Sequence, residues 1–552
     1  MKVSNIFLML CNVYLMNEGM AASPNLCNSS APFRFTVPSN QLFNCFIEDS
    51  IIYTIEVELE NAVAVMTQFH SLQDEVALND SSTRESITGR HEGLLRYTGE
   101  SESIASWTVQ SYVNHTVHTV MMITLFQAND PIPGACNQVF VPENEPNLHL
   151  TEAPDLALIK FAAANVGSPK GSPCYAGSKS PAMALLYDLY IYYMPTKSYS
   201  EAVMFGAVEK MSTPTNIMKH GQKVSSFTAL QKKEVFLALF KNRGIVHNVL
   251  VFDPAKNMTT AAYVPLIDYA CDEKSQGSVV CTYTDMGPTL VYTFCGLLGV
   301  ILCFLGHWTF LYEVYMFGFL PTVLASFGIF TAHTDLYPYG VYTVSVTLGT
   351  LGGATLTGLW WRFGRVLPTV LWISLVLGFQ LSSVLFFTPF GYMSIWQNNA
   401  AFGLAFASSI LVVPIFGLIF QLWVSYLACA VIGSYMMIAT LSFFFGGILH
   451  YIVQNIVHRA STENFGQAVF ILPKSPVDYT LITLWFFLVV GGVATQKYLT
   501  RRESDFPTCP YRSFKERRRL LRMRSREVPE TVLTSGTVNS SDNERTPLVG
   551  DL

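Results

Sequence analysis

The sequence predicts a multipass α-helical membrane protein, with seven transmembrane helices behind an N-terminal β-rich, β-sandwich-like ectodomain on the extracellular or lumenal side. Three observations predict it. Only 13% of the 552 residues are charged and 50% are apolar, against about 25% charged in ordinary soluble domains. The charges are segregated: residues 287–496 hold eight in 210, whereas residues 22–286 carry 17 basic and 26 acidic ones. Through the charge-poor stretch run apolar segments near the roughly 20 residues a helix needs to cross about 30 Å of hydrocarbon. The net charge of -5 averages two unlike halves, and nothing in it points to a nucleic-acid partner.

Residues 1–21 read as a signal peptide. Lys2 precedes an apolar stretch from Ile6 to Met16, broken by Asn12, and the small residues Gly19 and Ala21 stand before the expected cut. That stretch is too short to span a bilayer.

Two β-rich modules are expected next, at residues 22–149 and 150–286. In SIIYTIEVELENAVAV, Ile51, Tyr53, Ile55, Val57 and Leu59 alternate with Ile52, Thr54, Glu56, Glu58 and Glu60, the period-two pattern of a half-buried strand. SWTVQSYVNHTVHTVMMITLF, LALIKFAA, LLYDLYIYYMP and GIVHNVLVFDP repeat the β-rich character between Gly, Pro, Asn and Ser clusters. One helix of about a dozen residues is expected over residues 200–211. Six cysteines, Cys27, Cys45, Cys136, Cys174, Cys271 and Cys281, form an even set in an exported segment and predict disulfides, with 15 connectivities open. Sequons at Asn28, Asn79, Asn114 and Asn257 predict N-glycosylation of the same half.

No His-x-x-x-His or Cys-x-x-Cys spacing, nucleophile turn or phosphate loop occurs there, so neither an enzyme nor a cofactor or metal is expected. The tyrosines of YDLYIYYMP are open to two readings, the edge of a strand core or a binding face for a protein partner or ligand of unknown identity.

Seven apolar runs begin near Pro288, Phe310, Gly340, Val366, Ala400, Trp423 and Tyr479, and only Gln421 marks the turn between the fifth and sixth. Basic residues orient them. Arg362 and Arg365 anchor one cytosolic loop, and residues 497–526 hold eleven Lys/Arg, so the amino terminus lies outside and the carboxyl terminus in the cytosol. His307 and Glu313 read as an interfacial pair anchoring a short loop, with a proton or metal site as the alternative. Gln380, Ser382, Ser383, Ser408, Ser409 and Gln421 either bridge helices or line a path. In GTLGGATLTGLWWRFGR, Gly349, Gly353, Ala354 and Gly358 predict a face of small residues against a neighbouring helix. A rhodopsin-type receptor is not indicated: the third run ends Trp360-Trp361-Arg362-Phe363, without an acidic residue before the arginine, and the seventh lacks proline.

Beyond the last run, KERRRLLRMRSRE places positive charge beside the membrane, where anionic lipid attracts it. Past Pro529 the composition predicts disorder. At its end Glu544, Leu548 and Val549 resemble an acidic dileucine sorting signal, valine standing in the second aliphatic position, which implies sorting adaptors and an endosomal or lysosomal membrane as well as the plasma membrane.

CFLGHWTFLYEVYMFGF, WWRFG, LVLGFQLSSVLFFTPFG, CAVIGSY, the exported DPIPGACN and the terminal ERTPLV together resemble the transmembrane 7 superfamily member 3 family, along nearly the whole chain. The resemblance implies a non-enzymatic, glycosylated seven-pass membrane protein. It also implies a receptor-like or regulatory role in cell survival, attenuating the unfolded-protein response and restraining programmed death, and it implies no catalytic residues. A channel or transporter for an ion or small solute is the alternative, and a hydrolase using His307, His450 or His458 a third.

Overall fold

The computed structural model describes residues 33–35, 42–167, 181–269 and 286–524, apart from residues 50, 60, 83–84, 100–101, 154–155, 197, 241–242, 255–258, 335–336, 474, 503–505 and 508. The signal-peptide reading, Cys27, Cys174, Cys271, Cys281, Asn28, Asn257 and the tail motif of Glu544, Leu548 and Val549 lie outside the described residues.

The alternating segments form β1 (Phe33–Phe35), β2 (Phe43–Ile47), β3 (Tyr53–Glu58), β4 (Ala64–Ser71), β5 (Val76–Asp80), β6 (Ser86–Gly89), β7 (His91–Tyr97), β8 (Ile104–Ser111) and β9 (Val117–Phe126). They make two sheets, in the orders β1-β3-β8-β5-β6 and β2-β9-β4-β7. On β3 the residues Tyr53, Ile55 and Val57 are buried and their neighbours half-buried, as the sequence pattern requires. They share one core with Trp107, Phe69, Leu94 and Met121. Arg96 lies 5.9 Å from the Trp107 ring and bonds Asp80 at 3.1 Å, so its buried charge is paired.

β4 breaks the alternation, because all eight of its residues are buried. Val65 and Phe69 face the first core; Ala64 and Met66 turn into a second core with Ile159, Tyr187, Leu189 and Tyr263. Its sheet is therefore a middle layer, and the two modules share an apolar seam.

The second module comprises β10 (Pro131–Cys136), β11 (Leu148–Ala153), β12 (Leu156–Phe161), β13 (Ala163–Val166), β14 (Leu186–Tyr193), β15 (Gln222–Thr228), β16 (Glu234–Ala238), β17 (Ile245–Asp253), β18 (Thr259–Ala262) and β19 (Leu266–Asp268). Its sheets run β11-β12-β16 and β15-β14-β17-β18, with β19 also on β17 and β10 paired to β13. The β10–β13 pairing assigns Pro131–Cys136 to this module. The boundary thus falls before residue 131 and not at 149/150, where the sequence reading placed it. The helix expected over residues 200–211 is α1 (Glu201–Ser212), followed by α2 (Pro214–His220). α1 buries Met204, Phe205 and Val208 against Leu72 and Val120 of the first module.

The remaining helices are α3 (Met286–Leu305), α4 (Phe310–His333), α5 (Pro338–Phe363), α6 (Val366–Phe386), α7 (Asn399–Ile419), α8 (Gln421–Phe445), α9 (Tyr451–Ser461), α10 (Pro476–Leu499) and α11 (Pro510–Arg524). Six of them, α3, α4, α6, α7, α8 and α10, are long and apolar enough to cross a membrane. α5 has the length, 26 residues, but threonines and glycines dilute its apolar character, so the seventh expected span does not meet the same standard. All seven long helices begin within three residues of the starts read from the sequence.

Close approach holds this bundle together. A Cβ on Gly433 of α8 would lie 2.4 Å from the Cys303 nitrogen of α3, and one on Gly299 of α3 would lie 2.7 Å from the Gly433 carbonyl oxygen. Hydrogen bonds cross between helices as well: Thr440 Oγ1 donates to the Tyr292 carbonyl at 2.7 Å, Trp372 Nε1 to the Phe317 carbonyl at 2.9 Å and Trp485 Nε1 to Ser434 Oγ at 3.0 Å.

The ectodomain carries its own pH dependence. Burial, reinforced by repulsion from Glu145, pushes the Glu92 carboxyl up to about 8. Burial pushes Glu145 up to about 7, against hydrogen bonds from Asn147. Both folded values exceed the unfolded one, so this contribution to stability is complete below about pH 4.5 and is lost as pH rises through 7 and 8. His70 and His91 face each other on β4 and β7, ring centroids 5.6 Å apart. Burial pulls His91 down to about 3 and His70 well below its ordinary value, so their contribution is present above about pH 6.5 and lost as pH falls. Glu92→Gln in the full chain in detergent is expected to raise the melting temperature more at pH 8 than at pH 5; equal gains at both would remove burial of the carboxylate as the cause.

Candidate functional site

Two clusters bring together residues far apart in sequence. The first joins the ectodomain to the bundle. β16 is the edge of its sheet, and an unpaired edge seeks a partner strand. Val469, in the loop before α10, supplies it: a parallel bridge links Val469 to Leu237, with Val469 N–H donating to the Phe236 carbonyl at 2.8 Å and Ala238 N–H to the Val469 carbonyl at 3.3 Å. The Tyr193 hydroxyl donates to the Ile471 carbonyl at 2.8 Å, and the Tyr392 and Phe470 rings stack at 5.8 Å. Beneath this added strand Phe240 enters one apolar cluster with Phe387, Tyr435, Ile438, Leu449 and Leu481 of the bundle. Its ring meets Tyr451 edge-on at 5.1 Å.

Charge sits in the same joint. Arg243 is buried, lies 5.3 Å from the Tyr193 ring and keeps Nε and Nη1 without a hydrogen bond. Burial pulls the guanidinium below its ordinary value, and Asp478 opposes that shift. Asp478 Oδ1 accepts from the Ile448 amide at 2.7 Å, while Oδ2 is buried without a hydrogen bond. The cation of the ectodomain and the anion at the start of α10 thus attract across the joint.

The second cluster lies inside the bundle, at its opposite end. Glu313 at the start of α4 is fully buried and His307 nearly so. His307 Nδ1 is 3.0 Å from Glu313 Oε2 and 2.9 Å from Ser425 Oγ, and Ser425 Oγ donates to Glu313 Oε1. Gln496 of α10 closes the ring, its Nε2 donating to the Cys303 carbonyl at 2.7 Å and its Oε1 accepting from the His307 amide at 3.4 Å. Tyr426, Phe506 and Phe310 stand edge-on to the imidazole, centroids 4.7, 5.5 and 5.7 Å away. The pair does sit at the short turn between α3 and α4, but it is sealed inside the protein and ties α3, α4, α8 and α10 together. The Glu313 carboxylate and the Ser425 hydroxyl meet on the Nδ1 side of the ring, so one carboxylate joins the turn after α3, the start of α4 and α8. Among the described residues no group of three or more His, Cys, Asp or Glu gathers as a metal site.

Residues 131–274 match the domain family described as TM7SF3-like, second immunoglobulin-like domain, and residues 292–497 match the TM7S3/TM198-like domain. Transmembrane 7 superfamily member 3 from Homo sapiens is 30% identical over 482 residues, which cover 86% of this chain and 84% of that protein. The chain belongs to the TM7SF3 family. The Mus musculus protein of the same name is likewise 30% identical, over 83% of this chain and 82% of its own length. The first family domain begins at the β10 boundary, and the second covers most of the bundle, including His307, Glu313, Ser425 and Gln496 of the clamp.

In this TM7SF3-family chain the small-residue face of α5 is only partly the expected one. A Cβ on Gly349 would lie 2.2 Å from Val323 Cγ2, and one on Gly353 would lie 2.8 Å from the Tyr315 ring, both on α4. Gly358 has nothing within 4 Å and Ala354 is exposed, so neither belongs to the contact; Gly352, 2.3 Å from Thr322 Oγ1 by the same measure, takes their place. Arg362 lies 4.3 Å from the Tyr511 ring, and Arg365 stands at the residue before α6 without a side-chain cap hydrogen bond. Asn114 is exposed between β8 and β9, and Asn79 is half-buried on β5. Cys45 and Cys136 are disulfide-bonded. Tyr187 of the tyrosine cluster is core and Tyr193 belongs to the joint.

Sequence reasoning missed Arg243, Ser425, Gln496 and the strand at Val469. Ser425 and Gln496 are single polar residues in apolar helices, a pattern shared by residues that merely bond their own backbone. Two outcomes are expected. Glu313→Ala removes the acceptor shared by His307 and Ser425 and costs about 3 kcal/mol, against about 1 kcal/mol for Ser425→Ala, read from denaturant titration of the purified chain. Gly349→Leu is expected to give aggregated protein on size exclusion while Gly358→Leu stays monodisperse; equal behaviour would dissolve the assigned packing face.

Proposed function

We propose that this chain is a non-enzymatic, seven-span, receptor-like regulator that couples a glycosylated lumenal or extracellular ectodomain to its helical bundle, in cell survival and in damping the unfolded-protein response. The observation that carries this reading is the single β-bridge of Val469 to Leu237 of β16 above the Phe240 cluster. An ectodomain tethered by a loose linker would bind ligand without moving the helices, whereas one whose sheet continues into a bundle loop does not shift alone. Counting α5 as the remaining span sets the amino and carboxyl termini on opposite sides. With Arg362, Arg365 and the tail in the cytosol, Asn79 and Asn114 face the glycosylation machinery. The protein partner or ligand of the ectodomain is left open, membrane lipid surrounds the bundle, and sorting adaptors at the tail motif would route the chain between the plasma membrane and endosomes or lysosomes.

Cells lacking the protein, stressed by a lumenal glycosylation block, are expected to show a higher unfolded-protein reporter signal and more death than cells expressing it. Phe240→Ser, delivered to the membrane in equal amount, is expected to restore neither. Equal reporter signals with and without the protein would end this reading.

A second reading, a conduit for an ion or small solute, is favoured by one observation: Gln380 is buried in α6 with Nε2 unbonded, in the same helix as Ser382, which accepts from Ser409 at 2.7 Å. Flux into proteoliposomes that falls with Gln380→Leu would favour it over the regulator.

A further inference from the structure

The final described helix, α11, is packed at its first turn and exposed beyond it. Gly364, which ends α5 at φ +57°, leaves room for Cys509, whose Cβ would lie 2.3 Å from a Cβ placed there. Cys509 Sγ reaches the Trp361 carbonyl at 3.6 Å, and Tyr511 meets Trp361 at 5.5 Å and Arg362 at 4.3 Å. Just before the helix, Phe506 lies against His307 and Phe310. α11 therefore starts at the level where α5 leaves the hydrocarbon. From Arg512 to Met523 every residue is exposed.

The residues so exposed are of two kinds. The fifteen residues of α11 include seven basic residues against the single Glu516. Among them Phe514, Leu520, Leu521 and Met523 are 53%, 60%, 65% and 47% exposed. Phe514 and Leu521 are seven apart and share a face, and Arg517 and Arg518, three and four residues after Phe514, flank that line. Water suits the arginines and not the four apolar side chains. A hydrocarbon contact suits the apolar ones and not the charges. The headgroup region of a bilayer accepts both, because long basic side chains bury their stems and lift their ends to the phosphates.

We propose that α11 is a lipid-binding helix that lies on the leaflet at the Arg362 end of the bundle, inserts Phe514 and Leu521 below the headgroups and recruits anionic phospholipid through Arg517, Arg518 and Arg519. The position of its first turn sets the depth, and the charge selects the lipid. Assignment of that leaflet to the cytosol rests on the orientation in the proposed function.

The test is hydrogen exchange on the full chain in nanodiscs of phosphatidylcholine alone or mixed with phosphatidylserine. Exchange over α11 is expected to slow by about tenfold with phosphatidylserine, as for a basic segment drawn to an anionic surface, and to recover in high salt. The triple variant Arg517→Glu, Arg518→Glu, Arg519→Glu is expected to lose the lipid dependence while α3 to α10 keep their protection, which controls for folding. Phe514→Ser with Leu521→Ser is expected to lose protection in both lipids. Identical exchange over α11 in the two lipid mixtures overturns the proposal, as does protection that appears only with soluble polyglutamate, which would assign the helix to an acidic protein partner. Protease protection of the tail in intact vesicles separates the two claims: a lumenal tail with a retained phosphatidylserine response fails the orientation alone, and a cytosolic tail without that response fails the lipid site alone.

Discussion

The structure depends on how the exposed edge of β16 is satisfied. A sheet edge beside a membrane presents backbone groups that must find partners, and aggregation is the default outcome when they do not. Here the partner is the loop preceding α10, so that the hydrogen bonds closing the ectodomain are made by the membrane domain. From that one pairing follow the burial of Phe240 against α8 and α10, the position of Arg243 opposite Asp478 and the bonding of Tyr193 to Ile471. The same logic operates one layer further out. The β2-β9-β4-β7 sheet is apolar on both faces, so it needs the second module as a lid as much as the second module needs it. First module, second module and bundle are consequently stacked, each burying a face that its neighbour leaves open.

Inside the bundle a different constraint rules. Lipid tails are as apolar as leucine, so burial alone gives helices little reason to associate, and close contact with interhelical hydrogen bonds must do so. The contact of Gly299 with Gly433 and the hydroxyl bonds of Thr440 and Ser434 are of this kind. The His307–Glu313–Ser425 clamp is the costly version: an ionisable pair withdrawn from water repays its desolvation only if each oxygen is bonded. Both Glu313 oxygens are. A clamp of this sort adds little net stability over an apolar filling, but it tolerates only one register of α3, α4 and α8, because sliding any of them by a turn strands a carboxylate.

Much of this architecture was legible in the sequence, for definite reasons. Period-two alternation in β3, apolar runs ending at Arg362 and a turn at Gln421 are local signals, and each marked its element. The domain boundary was placed at 149/150 because no local signal marks it, and only the β10–β13 pairing, across some thirty residues, decides it. Ala354 and Gly358 were assigned to the packing face on their size alone. In a helix the face is set by angle, and Gly352 beside Gly353 shows that the contact drifts around α5 from the simple four-residue step. His307 and Glu313 were found, but their depth was not, because burial of a pair near the end of an apolar run depends on what α8 and α10 bring over it. Arg243 carried no signal at all, being one cation among many in a charged ectodomain.

α8 is the element common to both functional clusters. Tyr435 and Ile438 lie in the ectodomain joint, and Ser425, three turns earlier, is bound to Glu313. Between them Gly433 is wedged against α3 with no room even for a methyl group. In the proposed regulator α8 would act as a lever gripped in its middle, moving as one body between the two clusters. The end of that lever carries Ser425 and, through the bond of Tyr426 to Thr500 at 2.6 Å, the last turn of α10. The proposed regulator needs an element that both sites bias, and α8, hydrogen-bonded to the clamp at one end and packed in the Phe240 cluster at the other, is the element that touches both.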